Sequence, residues 1–599
     1  MINTSKPIKN SKTYTPGVSP EKDAWLTAFY IENHLDPITH PDHAAPPEQV
    51  RFMVFLDEDE RYYPCSNQMF EAIMRRKNSQ FLQKKYQAVL KRVMALVADQ
   101  IEDQTESQYL ESLINIKYEH ETRDQIMIPS RLEKRLLRIF LNRTQIEDPY
   151  MYEKALRNYR AHNVLKSKTL LKALNHIDPS AFKDSPNSLA AIRRLTDQIV
   201  IQRLFSLSVE NPLWETDRAE KYQLNDFQMI FKKHLTGDGV KSLIDFLGLN
   251  ATPEDGSRPK RILWLANEAG EVMIDFAIIK YLTKLGHKVI IAFKDGPLFT
   301  KVDYYDAQGD ETLKRELEGS LCMEDENLSK NELVKTLKSN YSILVISDGT
   351  RENLNLLLAS TTFARMFKEV DGIISRGYDQ KRRFFDTHFQ FTQDIFNISD
   401  NGPQAVNIAF KPKHSAVIKF SHEDLEKKAK IITENMAAAK KKGMTIVFYS
   451  GVIGSIPGKI KTAKEIMAVF VEYLKEQSAM TYIINPSEYF EPGMDADDLM
   501  YMWEIVQKSG LIDIWRFQTY EDIAQAFRIL KNKVPPEWVG KDATFSTGCT
   551  KEMKIALEVQ KDHPELQIIG PAKEKFMRRR DYGIGKMYDR RFGQFIRQP

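Results

Sequence analysis

The sequence predicts an α/β fold: a Rossmann-like, mostly parallel sheet with an amino-terminal helical domain and a second α/β unit at the carboxyl end. Apolar residues recur at three- and four-residue intervals before residue 250, which is the period of amphipathic helices. After residue 258, short β-branched runs alternate with helical stretches, and a second alternation begins near residue 440. Strands that alternate with helices predict parallel sheets with right-handed crossovers.

Changes in composition divide the chain into five predicted regions. The first is an extended arm rich in Pro, Asp and His, and the second holds long helices such as FLQKKYQAVLKRVMALVADQIED. A turn-rich linker, ATPEDGSRPK, leads into the first α/β domain. The second α/β unit has five predicted strands (MTIVFYSG, MTYIINP, LIDIWRF, DATFSTG and LQIIGP), and a basic, aromatic tail follows it. We place the five regions at 1–63, 64–250, 258–420, 440–572 and 573–599.

Composition restricts the function classes. Apolar residues make up 42% of the chain and charged residues 28%, as in globular proteins. The net charge of +4 argues against a dedicated nucleic-acid binder. The three cysteines form no CxxC pair, which fits a reducing cytosol. The amino terminus has no signal-peptide core, and no apolar run reaches the roughly 20 residues that span a bilayer. We therefore expect a cytoplasmic protein without membrane contact.

The block at residues 261–307 carries the most functional information. It reads as a strand, a polar glycine turn, an amphipathic helix, a second strand and an acidic loop. Ligands of open α/β sheets bind outside the carboxyl ends of the strands. There the sequence places two oxygen-rich loops, which suit a divalent cation and a phosphate; they contain Asn267, Glu268, Gly270, Glu271, Lys294, Asp295, Thr300, Asp303 and Asp306. The alternative is that Asn267 only caps the helix and Glu271 only complements its dipole.

This block resembles the metal-dependent damage-control phosphatases, a former domain of unknown function that includes the acidic-residue methyltransferase-like proteins. Their pattern is Asp-Asn-Ala-Gly-Glu after a strand, a helix containing an Asp, and a loop Lys-x-x-Pro-x-x-Asn-Asp-x-Thr-x-x-Asp. Matching positions here are Asn267 to Glu271, Asp275, Lys294, Pro297 and Asp306. Residues 345–360, 369–380 and 409–411 resemble later motifs of the family. The resemblance covers about residues 110–415.

Three positions depart from the family pattern. Asn267 and Glu268 replace the metal-binding Asp-Asn pair, and the third ligand falls on Lys301. Asp303 lies two residues from that position and could replace the lost aspartate. Because Mg²⁺ demands near-octahedral oxygen ligation, Lys301 would either repel the ion or substitute its ammonium for it.

The resemblance implies hydrolysis of a phosphorylated small metabolite with Mg²⁺, Mn²⁺, Co²⁺ or Ni²⁺, and such an ion polarises a phosphoryl oxygen. The metal ligands would be Asn267, Glu268, Asp303 and Asp306. Asp303, Lys294 and Lys411 would be catalytic, the lysines by neutralising charge on the phosphate. Substrate-binding candidates are Gly270, Glu271, Asp348, Gly349, Arg376 and Gly377.

A second glycine-containing loop, FYSGVIGSIPGKIKTAKE at residues 448–465, follows a strand of the second unit. Gly454, Gly458 and Lys459 could cradle a phosphate, although the spacing is not that of a Walker A loop; the alternative is a plain crossover loop. Cys549 could have a lowered pKa at a helix amino terminus, or be a buried thiol. Two other functions stay open: a transferase with a nucleotide or cofactor in the second unit, and a non-catalytic metabolite-binding protein that lost the metal.

Overall fold

The computed structural model describes residues 17, 19–40, 43–57, 60–75, 79–123, 126–179, 188–250, 259–456 and 459–578. The arm before residue 17, most of the linker 251–260, Gly458 and the tail after residue 578 lie outside the described residues. The predicted α/β class is confirmed. Contacts divide the chain into two compact units, one drawn from Met1–Leu328 and Lys338–Ser415, the other from Ser329–Leu337 and Ala416–Pro599. None of the described helices is long and apolar enough to cross a membrane.

The amino-terminal part of the first unit is mainly helical. Ser79 and Asp103 begin two of its long helices by accepting backbone N–H groups of the first turn, and Pro129 occupies the first turn of a third. The helices are α1 Pro20–Glu32, α2 Pro47–Val50, α3 Asn67–Met74, α4 Gln80–Gln100, α5 Gln104–Thr122, α6 Pro129–Thr144, α7 Met151–Lys166, α8 Lys168–Asn175, α9 Leu189–Leu207, α10 Pro212–Glu215, α11 Leu224–Ile230 and α12 Val240–Phe246.

An eight-stranded sheet forms the centre of the first unit. Its strands are β2 His234–Thr236, β3 Arg261–Leu265, β4 Lys288–Phe293, β5 Leu321–Cys322, β6 Ile343–Ser347, β7 Gly372–Arg376, β9 Asp394–Asp400 and β10 Ala405–Lys411, while β1 Val54–Phe55 and β8 Gln390–Phe391 pair separately. The order is β2-β10-β9-β7-β3-β4-β6-β5, and only β9 and β10 are antiparallel. The central strands are almost entirely apolar because helices cover both faces.

The order of the central strands determines where a ligand can bind. After β3 the chain builds outward through β4 and β6 and then returns to place β7 on the other side of β3. A doubly wound sheet opens a crevice at such a switch point, outside the carboxyl ends of the strands. The crossover helices of this unit are α13 Glu271–Lys284, α14 Asp306–Gly309, α15 Glu311–Glu316, α17 Thr361–Glu369 and α18 Gly377–Phe385, while α16 Lys330–Leu337 belongs to the second unit.

The second unit has a parallel four-stranded sheet in the order β12-β11-β13-β14. Its elements are α19 His422–Lys441, β11 Thr445–Ser450, α20 Ile460–Gln477, β12 Thr481–Ile484, α21 Ala496–Gln507, β13 Ile514–Phe517, α22 Tyr520–Ile529, α23 Thr547–Asp562, β14 Gln567–Ile569 and α24 Lys573–Arg578. The predicted strand DATFSTG is wrong. Asp542 caps a 3-10 turn at Ala543–Phe545, and Ser546 then caps α23. Because these side chains hydrogen-bond to nearby backbone N–H groups, the segment forms a turn and a helix start instead of the predicted strand.

Candidate functional site

The residue that follows β3 and the one that follows β7 meet at the switch point. A Cβ atom on Gly377 would lie 2.8 Å from the Asn267 Nδ2 atom, and the φ of Gly377 is +74°. Only glycine adopts this backbone conformation readily while leaving room for the amide. The predicted ligand Asn267 therefore lies in the crevice that the sheet topology opens.

Lys301 occupies the space between the two residues that replace the family's Asp-Asn pair. Its ammonium lies 2.7 Å from Asn267 Oδ1 and 3.1 Å from Glu268 Oε1. The Thr300 hydroxyl donates to the other Glu268 oxygen at 2.7 Å. Burial opposes the charge on Lys301, but Glu268, Asp379 and Glu271 together outweigh it and the pKa of Lys301 is raised. Burial likewise opposes ionisation of Glu268, but Lys301 and the Thr300 hydrogen bond together outweigh it, so the pKa of Glu268 is lowered. Both groups are therefore charged.

Protein groups also occupy the amino terminus of α13. Glu271 Oε2 accepts from the Glu268 backbone N–H at 3.3 Å and from Asn267 Nδ2 at 3.1 Å. The Gly270 N–H donates to Asn158 Oδ1 at 2.6 Å. The contacts of Glu271 thus agree with the alternative in which it complements the helix terminus. Asn267, in contrast, accepts a hydrogen bond from Lys301 through its side-chain oxygen and does not cap the helix.

Asp303 and Asp306 belong to a different cluster. Their carboxylates and that of Asp148 each have an oxygen 2.7 Å from the Lys154 ammonium. One oxygen from each of the three carboxylates lies within 4.8 Å of the others, so the three could hold a metal ion, and the group does not include Glu268. Burial and then Asp303 raise the pKa of Asp306 to about 7. The four predicted metal ligands thus form two separate groups. Asn267 and Glu268 contact Lys301, whereas Asp303 and Asp306 contact Lys154.

Sequence reasoning missed Asp148 and Lys154, although both contact predicted site residues. Asp148 precedes α7 and Lys154 lies on it, in the helical region where no motif was visible. The Lys154 side chain is only 1% exposed. A single lysine in an amphipathic helix does not indicate a buried ion cluster, because two of its three partners, Asp303 and Asp306, are 149 and 152 residues away in the sequence.

Lys294 and Asp348 lie together at the ends of β4 and β6. The Lys294 ammonium donates to Asp348 Oδ2, to Thr350 Oγ1 at 2.9 Å and to the Glu352 carbonyl at 2.8 Å. Burial lowers the pKa of Lys294 despite Asp348. Gly349, with φ of +77°, allows the Ser360 backbone to approach so closely that a Cβ atom would be 2.4 Å from its nitrogen.

Arg376 and Lys411 direct their donors into the protein. The Arg376 guanidinium contacts Asp275 at 2.9 Å, Glu271 at 2.8 Å and the Ser208 carbonyl at 2.6 Å, and its side chain is 0% exposed. Lys411 donates to the Phe384 and Thr387 carbonyls at 2.8 and 2.9 Å. Burial lowers the pKa of Lys411 to about 8. These contacts bring neither residue to Lys301.

A narrow cleft lies beside Lys301. Its cavity volume is about 20 Å³, close to that of one water molecule. Asn267, Lys294, Lys301, Asp379, Gln380 and Arg383 line it. Among the described residues, Arg383 forms no ion pair with a carboxylate. Arg383 and Gln380 were not predicted, although both follow the motif that contains Arg376 and Gly377.

The contacts of the loop at residues 448–465 give little support to a phosphate site in the second unit. Gly454 is exposed, Gly458 lies outside the described residues, and the Lys459 ammonium pairs with Glu537 at 2.8 Å. Cys549 is buried, its thiol donates to the Gly451 carbonyl at 3.3 Å, and burial raises its pKa. This thiol has the features of the buried alternative, not of a reactive nucleophile.

The residues at Asn267 and Glu268 do not fit a divalent ion while Lys301 is charged. An ion on their oxygens would lie about 3 Å from the ammonium, and the repulsion between the two charges would be about 11 kcal/mol at an effective dielectric constant of about 20. The pKa of Lys301 is raised, so loss of its proton offers no relief. The Asp148, Asp303 and Asp306 cluster has suitable oxygens, but Lys154 already lies among them.

Comparison with known proteins agrees with the resemblance seen in the block 261–307. The model of the damage-control phosphatase ARMT1-like domain matches residues 81–428, more than half of the chain. A crystal structure of a DUF89 family protein from Pyrococcus horikoshii is similar with 16% identity and a TM-score of 0.36, over 53% of this chain and 90% of that one. No curated protein matches. The chain therefore belongs to the damage-control phosphatase family, with an ARMT1-like domain at residues 81–428.

Proposed function

We propose that this chain binds a phosphorylated small metabolite at the mouth of the cleft beside Lys301, without hydrolysing it, so that one phosphate oxygen and not the whole ligand occupies the cavity of about 20 Å³. Membership of the family suggests a metal-dependent phosphatase of a metabolite, and hence a phosphorylated ligand. The cleft brings together Lys301 and Arg383, and such cations hold phosphate oxygens by charge-assisted hydrogen bonds. Lys294 also lines the cleft, but its three N–H groups already donate within the protein. The observation that carries the proposal is the Lys301 ammonium, 2.7 Å from Asn267 Oδ1.

The absence of hydrolysis follows from the state of the carboxylates. Glu268 pairs with Lys301, Asp348 with Lys294, and Asp303 with Lys154. A carboxylate that ligates a metal or accepts a proton from water must have a free lone pair directed at that group. Each of these carboxylates instead directs oxygens at an ammonium group of the protein.

Isothermal titration calorimetry of the full chain, with EDTA present, tests the proposal. The probes are inorganic phosphate and glucose 6-phosphate. We expect binding to the unmodified chain and a loss of about tenfold or more in Lys301→Met and Arg383→Met, since each removes a charged hydrogen bond. Lys314→Met is the matched control, because Lys314 is a 61% exposed lysine on α15. Equal affinity in all four proteins, or no binding of either probe, would contradict the proposal.

A second candidate function is metal-dependent phosphatase activity at the cluster of Asp148, Asp303 and Asp306. It is favoured by their three converging oxygens. The test is turnover of p-nitrophenyl phosphate with Mg²⁺, Mn²⁺, Co²⁺ or Ni²⁺. Turnover with one of these ions, if Asp303→Asn abolishes it, would establish this function. No turnover with any of the ions would favour the proposed non-hydrolysing binding protein.

A further inference from the structure

The Lys301 ammonium is held in place by the backbone of two loops. The Ala269 N–H donates to the Thr300 carbonyl at 2.9 Å, and the Val302 N–H donates to the Asn267 carbonyl at 3.1 Å. These bonds join the loop after β3 to the loop after β4 on both sides of Lys301. The side chain is 15% exposed, so it has few other directions to take. The position of its ammonium is therefore a property of the fold and not of one mobile side chain.

The environment of this ammonium is that of a cation site. Asn267 and Glu268 contribute one oxygen each, and Thr300 fixes the second oxygen of Glu268 so that the first points at Lys301. Asp379 and Glu271 add negative charge from α18 and α13. In the family pattern the residue at position 301 is itself a metal ligand. Lys301 thus supplies a positive charge at the position where the resemblance implies an oxygen ligand.

We infer that the Lys301 ammonium permanently replaces the divalent metal ion at the switch point, and that the phosphate of a bound metabolite contacts this ammonium directly. The first half of this inference concerns the metal and stands without a ligand. The second half rests on the proposed function, since it names the group that receives the phosphate. Arg383 lines the same cleft and is the second cation that we assign to the phosphate.

Restoring an acidic residue at position 301 should restore the metal site. An aspartate is shorter than lysine, and an ion bound beyond its carboxylate would lie near the present position of the ammonium. Asn267, Glu268 and the new carboxylate would then supply three hard oxygen ligands, which suit Mn²⁺ or Mg²⁺. Lys301→Met removes the charge without adding a ligand and is the matched control.

Calorimetric titration with MnCl₂, without any phosphate, tests the metal half. To keep the cluster around Lys154 from contributing, all proteins carry Asp303→Asn. We expect no binding at millimolar Mn²⁺ when Lys301 is present, one site in Lys301→Asp, and a loss of roughly 10- to 100-fold when Glu268→Gln is added. Mn²⁺ binding in the presence of Lys301 that Glu268→Gln weakens would overturn the inference. A folded Lys301→Asp protein that binds no Mn²⁺ would also overturn it.

A second measurement keeps the inference testable if Lys301→Asp does not fold. Phosphate affinity of the unmodified chain should be the same with EDTA and with Mn²⁺, and it should fall in Lys301→Met. An affinity that rises with Mn²⁺ and falls with EDTA would overturn the inference. Absence of phosphate binding under both conditions would refute the proposed function, while the titration with metal alone would still decide about the ion.

Discussion

Replacing Lys154 by methionine should destabilise the first unit strongly, and more at high pH than at low pH. The ammonium is 1% exposed and lies 2.7 Å from an oxygen of each of three carboxylates. Methionine keeps most of the side-chain volume and removes the charge. Removing one partner of a buried ion pair costs about 3–5 kcal/mol, because the remaining charge is left uncompensated. Three carboxylates are left here, so we expect a loss in the upper part of that range.

The pH dependence follows from the carboxyl groups. Burial and Asp303 already raise the pKa of Asp306 from 3.8 to about 7. A carboxyl whose pKa is raised by folding contributes stability below its unfolded pKa and loses it as pH rises through the folded value. Without Lys154 the folded pKa of Asp306 should rise further, so the destabilisation should be largest at about pH 8 and should shrink toward about pH 5, where this carboxyl binds a proton.

Urea denaturation followed by circular dichroism, at about pH 8 and about pH 5, measures both effects. Since the chain has two units, the comparison uses the shift of the transition that Lys154→Met moves. Lys314→Met, on the exposed side of α15, should shift neither transition by more than about 0.5 kcal/mol. A loss below about 1 kcal/mol at high pH, or the same loss at both pH values, would refute the reasoning from uncompensated buried charge.

Three further outcomes are expected. Arg376→Met should cost about 3–5 kcal/mol in urea denaturation because it leaves Asp275 and Glu271 without their buried cation; a loss like that of an exposed arginine would contradict this. Gly377→Ala should cost about 1–3 kcal/mol through its φ of +74° and its contact with the Asn267 amide, and should weaken phosphate binding in the same titration; unchanged stability and affinity would show that the switch point tolerates a side chain. Iodoacetamide should modify Cys322, whose thiol is exposed although burial raises its pKa too, and spare Cys549 and Cys65, which are buried and whose pKa values burial also raises, that of Cys65 to about 12. Mass spectrometry of the folded chain counts the labelled thiols, and rapid labelling of Cys549 would mean that its helix terminus is open.

The sequence allowed the α/β class and the site region to be predicted because both depend on local patterns. Apolar runs such as Arg261–Leu265 and Lys288–Phe293 form strands in the structure, and the polar loops after them lie at the carboxyl edge of one sheet. The two outcomes considered for Lys301, repulsion of the ion or substitution for it, also followed from its position in the family pattern. What no local pattern could give was the pairing of Lys154 with Asp303, since it depends on how a helix packs on a loop 149 residues away.

Replacing a metal ion by lysine changes what the site can do. A divalent ion polarises a phosphoryl oxygen and lowers the pKa of bound water, whereas an ammonium group has a single charge and no open coordination position. The positive charge of Lys301 suffices to attract a phosphate, but its ammonium group already donates hydrogen bonds to Asn267 and Glu268. Lys294 and Lys154 similarly neutralise Asp348 and Asp303. With these carboxylates matched by cations of the protein itself, the proposed site would recognise a phosphate without a metal and would lack the group that drives hydrolysis.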